Sequence, residues 1–289
     1  MKLALMIEGQ EGVTWDDWRR LARLAEDGGF DALLRSDHYY SVSAGADRGA
    51  LDAWGTICAL GPLTQRIRLG TLVSPVTFRP AAVLAKLALT ADHTSGGRVD
   101  VGIGTGWHQA EHDEFGLDLP PMKARMDLLA QQLADVTRYW DEYGPRPVQS
   151  PRPHVIMGGQ AKARSAALAA RYADEYNLLY RDPDGVRAGA ASIASACRDA
   201  GRDPIPISMM LGFAVGADEA AVAERRRRIC ELMGTDELPA TWLVGTPGQV
   251  IDQLAALEAA GCSRVMLQHH LFADDEHVEL IAREILPAV

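Results

Sequence analysis

The sequence predicts an α/β protein built as a closed (β/α)8 TIM barrel. Three observations lead there: strand and helix candidates alternate along the whole chain, the strands are short uninterrupted apolar runs, and these runs number eight. Continuous apolar strands between amphipathic helices mean a parallel sheet covered on both faces. Eight such strands close into a barrel.

The elements follow in order. Leu3 to Ile7 reads as a buried strand. Trp15, Trp18, Leu21, Ala22 and Ala25 then share one helical face, and Gly28-Gly29 stops that helix. Thr14 is its expected N-cap, with Asp16 and Asp17 at the positive end of the helix dipole. Strand Ala32 to Ser36 leads to helix Asp52 to Leu63, and strand Ile67 to Val73 to helix Ala81 to Thr94. A Gly96-Gly97 turn feeds the fourth strand, Val99 to Ile103, and Lys123 to Trp140 forms a long amphipathic helix. A proline-rich link, Pro145 to Pro153, enters strand His154 to Met157. Helix Lys162 to Tyr172, strand Glu175 to Leu179, helix Asp184 to Ala200, strand Ile207 to Val215 and helix Glu219 to Met233 continue the alternation. Helix Thr246 to Ala260, strand Arg264 to Gln268 and helix Glu276 to Ile285 close the chain. The run Arg225 to Arg228 is expected as a solvated helix face.

At 289 residues and 47% apolar content the chain supports a sizeable core, and with no break in composition it reads as a single domain over residues 1–289. A formal charge of -10 disfavours nucleic-acid binding through a general basic field. Cys58, Cys197, Cys230 and Cys262 are scattered without a C-x-x-C, as for reduced thiols in a cytoplasm. Met1 to Ile7 is too short for a signal peptide, and no apolar run reaches transmembrane length, so the expected setting is cytoplasmic, away from membranes.

In such barrels the chemistry sits at the carboxyl ends of the strands. Strand two exits into Arg35-Ser36-Asp37-His38-Tyr39-Tyr40, and strand three into Ser74-Pro75 and Thr77-Phe78-Arg79-Pro80. Strand four exits into Gly104-Thr105-Gly106-Trp107, strand five into Gly158-Gly159-Gln160 and strand eight into His269-His270. Gly102, Gly104 and Gly106 thin the backbone of strand four, which costs entropy and signals a close approach to the main chain. A flat cofactor ring is the expected visitor.

Together these stretches resemble the luciferase-like family of flavin and deazaflavin enzymes. The signatures are S-D-H after strand two, G-T-L-V-S-P-V-T-F-R-P around strand three, S-G-G-R-V-D-V-G-I-G-T-G-W…E-H-D-E-F-G around strand four, and H-V-I-M-G-G-Q followed by A-A-R-Y-A-D. S-D-H and G-T-G-W resemble the branch that uses coenzyme F420, a deazaflavin. The resemblance implies an F420-dependent oxidoreductase passing a hydride between deazaflavin C5 and a small organic substrate. In it Asp37 and His38 face the ring, and His38 is the proton donor or acceptor, a role suited to its near-neutral pKa. It also implies a cis peptide between Leu72 and Val73 behind the ring, Ser74 at the ring edge, and Thr105, Gly106 and Trp107 along the ribityl chain. Gly158, Gly159 and Gln160 would open a helix whose amides hold the phosphate, and Arg79 would pair with phosphate or an acidic tail, or lie at the surface. His269-His270 would touch substrate or solvent, and the assembly would be a homodimer. Two alternatives stay open: an FMN-dependent monooxygenase using reduced flavin and O2, and a non-catalytic flavin-binding barrel. One departure from relatives is the short passage from Trp140 to Pro147, expected to shorten the pocket roof.

Two rival motifs are weaker. His108 to His112 fits H-x-x-E-H, a zinc-peptidase spacing, but no distal ligand can be named, and the expectation is no metal. Gly102-x-Gly104-x-x-Trp107 lacks the third glycine of a dinucleotide fingerprint, and a polar loop ending in Pro120-Pro121 is expected where the helix is needed.

Overall fold

A computed structural model describes residues 1–42 and 48–289. The chain runs β1 (Lys2–Ile7), α1 (Trp15–Gly28), β2 (Ala32–Arg35), α2 (Ala53–Leu60), β3 (Arg68–Thr71), β4 (Ser74–Pro75), α3 (Ala81–Ser95), β5 (Val99–Gly104), α4 (Gln109–Glu114) and α5 (Met122–Glu142). It continues β6 (His154–Gly159), α6 (Ala163–Tyr172), β7 (Glu175–Leu179), α7 (Pro183–Asp199), β8 (Ile207–Val215), α8 (Glu219–Met233), β9 (Leu243–Gly245), α9 (Pro247–Ala259), β10 (Cys262–Gln268) and α10 (Asp275–Glu284). Local chemistry sets the ends of α1 as expected. Thr14 and Asp17 form a reciprocal capping box, and Gly29 ends the helix in the left-handed region at φ 87°.

The barrel closes. Parallel pairings run from β1 through β2, β3, β5, β6, β7 and β8 to β10, and β10 pairs back onto β1. β4 continues strand three, so the eight predicted strands are the eight staves. Two small elements were not foreseen. β9 extends β8 beyond the barrel at Phe213–Val215, and α4 occupies part of the expected polar loop. No helix among the described residues is long and apolar enough to cross a membrane.

Strand three carries the feature that shapes the mouth. Gly70 lies opposite Asp100 and Ser74 opposite Ile103, so four steps on one strand match three on the other. One residue is therefore extra, a β-bulge that re-aims the side chains after it. The Leu72–Val73 peptide at this point is cis, as the resemblance implies. The bulge also corrects the reading of the glycines. A Cβ on Gly104 would stand 2.6 Å from Val73 Cγ2, and one on Gly102 would stand 2.9 Å from Val73 Cγ1 and 2.1 Å from the Thr71 carbonyl oxygen. The glycines make room for strand three and the Val73 methyls, and Val73 is what lies over them.

The opposite end is plugged by charge. Asp100, Arg264, Glu175, Arg68 and His154 all sit within the first three residues of their strands. Arg264 reaches Asp100 at 3.0 Å and Glu175 at 3.2 Å, Arg68 holds Asp100 at 2.6 Å, and His154 contacts Glu175 at 3.2 Å. Burial alone would raise both acids. Arg264 and Arg68 around Asp100, with His154 and Arg264 around Glu175, outweigh it and hold both below the usual carboxylate range. The link from α5 to β6 also runs beneath this end. Asp92, on α3, accepts Val148 N at 2.6 Å and Gln149 Nε2 at 2.8 Å, and Arg68 donates to Gln149 Oε1 at 2.8 Å. Its length therefore bears on the floor and not on the roof of a pocket.

Two surface expectations are corrected by burial. Arg225 is buried, donating to the Val215 carbonyl at 2.9 Å and pairing with Asp274 and Glu276, while Arg227 stays in solvent. His269 touches neither solvent nor the mouth. It is 2% exposed, packed on Phe213 at 5.3 Å and on His277 at 5.4 Å, with both ring nitrogens unpartnered.

Two expectations follow. Gly104→Ala should destabilise by about 1–3 kcal/mol through overpacking, and Val73→Ala should relieve most of that. Additive losses in a double-mutant cycle would refute the packing account. Burial lowers His269 to about 3, so its neutral form is what folds. Stability is whole above the ordinary value of 6.5 and erodes as pH falls toward 3, by about 1.4 kcal/mol per pH unit for one such histidine. His269→Leu should flatten this acid limb in urea midpoints measured across that range, and an unchanged limb would count against it.

Candidate active site

The exits of β1, β2, β4, β5, β7 and β10 bring their side chains to one end of the barrel. Below the mouth the inner wall is apolar, formed by Met6, Leu34, Leu72, Ile156, Met210 and Met266 with Val73 packed on them. Glycine at 158 keeps that wall thin: a Cβ there would meet Val73 Cγ1 at 3.4 Å.

The β2 exit is built from its anchors upward. Asp37 is buried and accepts both arms of Arg79, at 2.6 and 3.1 Å, with a third bond from the Ser74 hydroxyl at 2.5 Å. Arg79 also donates to Asp52 at 2.7 Å, and Trp54 Nε1 donates to Ser74 Oγ at 3.0 Å. This corrects three placements. The Asp37 carboxylate faces Arg79 and not the open mouth, Arg79 is buried between two acids, and the Ser74 hydroxyl is already engaged below the rim. The cluster fixes the loop that carries the next residue, His38.

His38 Nδ1 lies 2.7 Å from Glu111 Oε2. Glu111 Oε1 accepts the amide of Tyr40 at 3.1 Å and that of Tyr39. Glu111 is fully buried, while His38 keeps a partly exposed face. A carboxylate only accepts, so His38 Nδ1 carries a proton and Nε2 is left for the mouth. Burial would lower His38, but the Glu111 hydrogen bond and charge, then Glu8 and Asp37, outweigh it and raise the imidazole above its ordinary value. Glu111 is held low in turn: burial would raise it, but His38 and the two tyrosine amides prevail.

Around His38 stand Trp107, edge-on at 5.7 Å, and His108 at 6.2 Å. Trp107 is 59% exposed and stands at the rim. Tyr39 stacks on Phe78 at 4.8 Å with Arg79 over its ring at 5.5 Å. Thr105 and Gly106 follow β5, and Arg125 Nη1 donates to the Gly106 carbonyl at 2.5 Å. His270 is half-buried and stacked on Trp242 at 4.9 Å.

Gly158 and Gly159 are the last residues of β6, with Gln160 after them, three residues ahead of α6. The helix has no side-chain cap, so its first amides are not answered by an N-cap. The Ala161 amide is answered: it donates to Tyr176 Oη at 2.9 Å. What remains open is the extended backbone at Gly159–Gln160 and the start of the helix.

The zinc-peptidase reading ends here. His112 Nδ1 donates to the His108 carbonyl at 2.7 Å, and its Nε2 accepts from Thr77 at 2.7 Å. Glu111 is spent on His38 and backbone amides. Among the described residues no three His, Cys, Asp or Glu side chains converge on a metal position.

Sequence reasoning missed two things. Glu111 was visible only as part of a motif, without its bond to His38, because its short helix was read as loop. Glu8, Gln10, Tyr180 and Gln268 were not singled out, although each lies within three residues of the end of a barrel strand, which is the signal that would have found them.

Comparison with known proteins agrees with the fold. An uncharacterised protein of Mycobacterium tuberculosis (strain ATCC 25618 / H37Rv) is 31% identical over 243 residues, covering 78% of this chain and 77% of that one. A pyrimidine monooxygenase, RutA, of Cronobacter sakazakii is 29% identical over 215 residues, covering 67% of this chain. The match spans 61% of that enzyme's own length. A solved F420-dependent secondary alcohol dehydrogenase, in complex with an F420-acetone adduct, superposes with a TM-score of 0.82 over 100% of this chain and 98% of its own, at 18% identity. The family profile of luciferase-like monooxygenases matches residues 3–239. The chain belongs to the luciferase-like monooxygenase family.

Proposed function

We propose that the protein is an F420-dependent oxidoreductase acting on a small organic substrate. The observation that carries this is the His38–Glu111 pair. A hydride moving to or from a carbon that bears oxygen or nitrogen needs a separate carrier for the proton. His38 suits that carrier, with Nδ1 tied to a buried carboxylate at 2.7 Å and the ring still partly exposed.

The residues present fit a deazaflavin. The apolar wall at Leu72, Val73 and Met210 suits a flat ring, and Gly158 leaves the wall without a side chain there. The uncapped start of α6 after Gly158, Gly159 and Gln160 suits a phosphate, since helix N-termini favour anions. When bound, the deazaflavin supplies a hydride carrier that reacts poorly with oxygen. Glu111 keeps the imidazole in one tautomer and stabilises its cation, Asp37 and Ser74 hold the loop beneath, and Trp107 limits how His38 can turn. The S-D-H and G-T-G-W versions of the motifs favour F420.

A second reading, an FMN-dependent monooxygenase, is favoured by the 29% identity to a pyrimidine monooxygenase across two thirds of the chain. Separate titrations with F420 and FMN discriminate. Saturable binding of F420 with little binding of FMN is expected, and the reverse would replace the first reading with the second.

With F420 and a substrate in hand, His38→Asn should retain cofactor but lose about 10²-fold or more in kcat. Where His38 gives the proton, activity falls as pH rises through its raised value. Glu111→Gln removes a cause of that rise and should move the limb to lower pH. A limb unmoved by Glu111→Gln would break the link between the pair and the rate.

A further inference from the structure

We propose that Thr77 is a positioning residue for the proton carrier: its hydroxyl, acting through His112 on α4, holds Glu111 in place against His38. This deepens the reading above and rests on its assignment of the proton to His38.

α4 has six residues, too few to keep its shape or place unaided. Its N-cap, His108, supplies no side-chain bond. Among the described residues, two side chains of α4 hydrogen-bond to the exits of other strands. One is Glu111, which reaches His38 Nδ1 at 2.7 Å and the amides of Tyr39 and Tyr40. The other is its neighbour His112. That imidazole is buried, and both its nitrogens are used. Nδ1 lies 2.7 Å from the His108 carbonyl oxygen, and Nε2 lies 2.7 Å from Thr77 Oγ1. A carbonyl only accepts, so Nδ1 donates to it, and the Thr77 hydroxyl donates to Nε2. The ring therefore pins both the start of α4 and the residue next to Glu111 to the segment after β4.

The same segment holds the other partner. Two residues beyond Thr77, Arg79 grips Asp37 with both arms, at 2.6 and 3.1 Å, and Asp37 directly precedes His38. Between them Phe78 stacks on Tyr39 at 4.8 Å and packs against His112 at 5.3 Å. Residues 77 to 79 thus touch both the loop that carries His38 and the helix that carries Glu111. Gly106 passes close over this joint. A Cβ there would stand 3.1 Å from Thr77 Oγ1 and 3.0 Å from Pro75 Cβ, and its φ is 74°. The gap between imidazole and carboxylate is set from one short stretch. Burial opposes charge on His38, and Glu111 leads the groups that outweigh it, ahead of Glu8 and Asp37, with His108 at 6.2 Å. Of these Glu111 is the one in hydrogen-bond contact, so a displaced α4 is read directly at the imidazole.

The test uses the ligand-free protein. Histidine-labelled samples are titrated by NMR, with the His38 signal assigned by its absence in His38→Asn. Thr77→Val keeps the branched shape but removes the donor, so the His38 midpoint should move to lower pH. Thr77→Ser keeps the hydroxyl and should stay close to the wild type. A midpoint unmoved by Thr77→Val overturns the proposal. Equal falls in both variants also overturn it, because packing at this position and not the bond would then be the cause. In a Glu111→Gln background Thr77→Val should move the midpoint no further, and a further fall would refute the route through Glu111. Should Thr77→Val not fold, His112→Asn, too short to reach Thr77, takes its place and must lower the midpoint. The readout needs no cofactor. Failure to bind F420 would remove the reading above and leave this titration intact, while an unmoved midpoint would leave the cofactor reading standing.

Discussion

Closing eight parallel strands creates an interior with two ends, and every charge placed inside must be answered there. An unpaired buried ion costs several kcal/mol, and removing one partner of a buried pair costs about 3–5 kcal/mol. The two ends give different answers. At the amino ends of the strands, Arg264 and Arg68 cancel Asp100 and Glu175. At the carboxyl ends, Glu111 is answered by His38 and two backbone amides, and Glu8 by the side-chain amides of Gln10 and Gln268. The first arrangement serves the fold. The second orients side chains at the mouth, and Asp37, paired with Arg79, ties the loop that carries His38 to the frame.

The bulge in strand three sets the shape of the mouth. With one extra residue between Gly70 and Ser74, the strand cannot keep its alternation, and Val73 comes to lie across β5 and β6. β5 accepts this only because Gly102 and Gly104 have no side chains. Two glycines on one strand thus answer one valine on its neighbour. The result is a smooth apolar wall where two ordinary strands would have presented interlocking side chains.

This explains what the sequence made legible. All eight staves were readable because each is a short, largely apolar run between helix candidates, the pattern of strands buried on both faces. The glycines were also readable as a place of close approach. Their visitor was not: a glycine reports that space is needed but not for what, and the nearest claimant, Val73, is some thirty residues upstream. Arg79 and His269 were misplaced for a similar reason. An arginine or histidine in a loop looks solvent-bound until its partners are known, and the burial of Arg79 depends on Asp37 and Asp52, brought together only by barrel closure. Conversely, His38 stood out because its position, just beyond a stave, is already a statement about three dimensions.

Glu111 shows the limit most sharply. It rides on a six-residue helix too short to announce itself by periodicity. Its position is secured by tertiary bonds, to the amides of Tyr39 and Tyr40 and to His38, seventy-odd residues away. Those amides belong to the same loop as the histidine. The carboxylate therefore orients the imidazole and fixes the backbone that carries it at once, and neither feature forms without the other. A site built this way is written in pairings between loops and not in either loop alone, while the staves behind it, each identifiable by itself, supply the rigid frame on which the two loops meet.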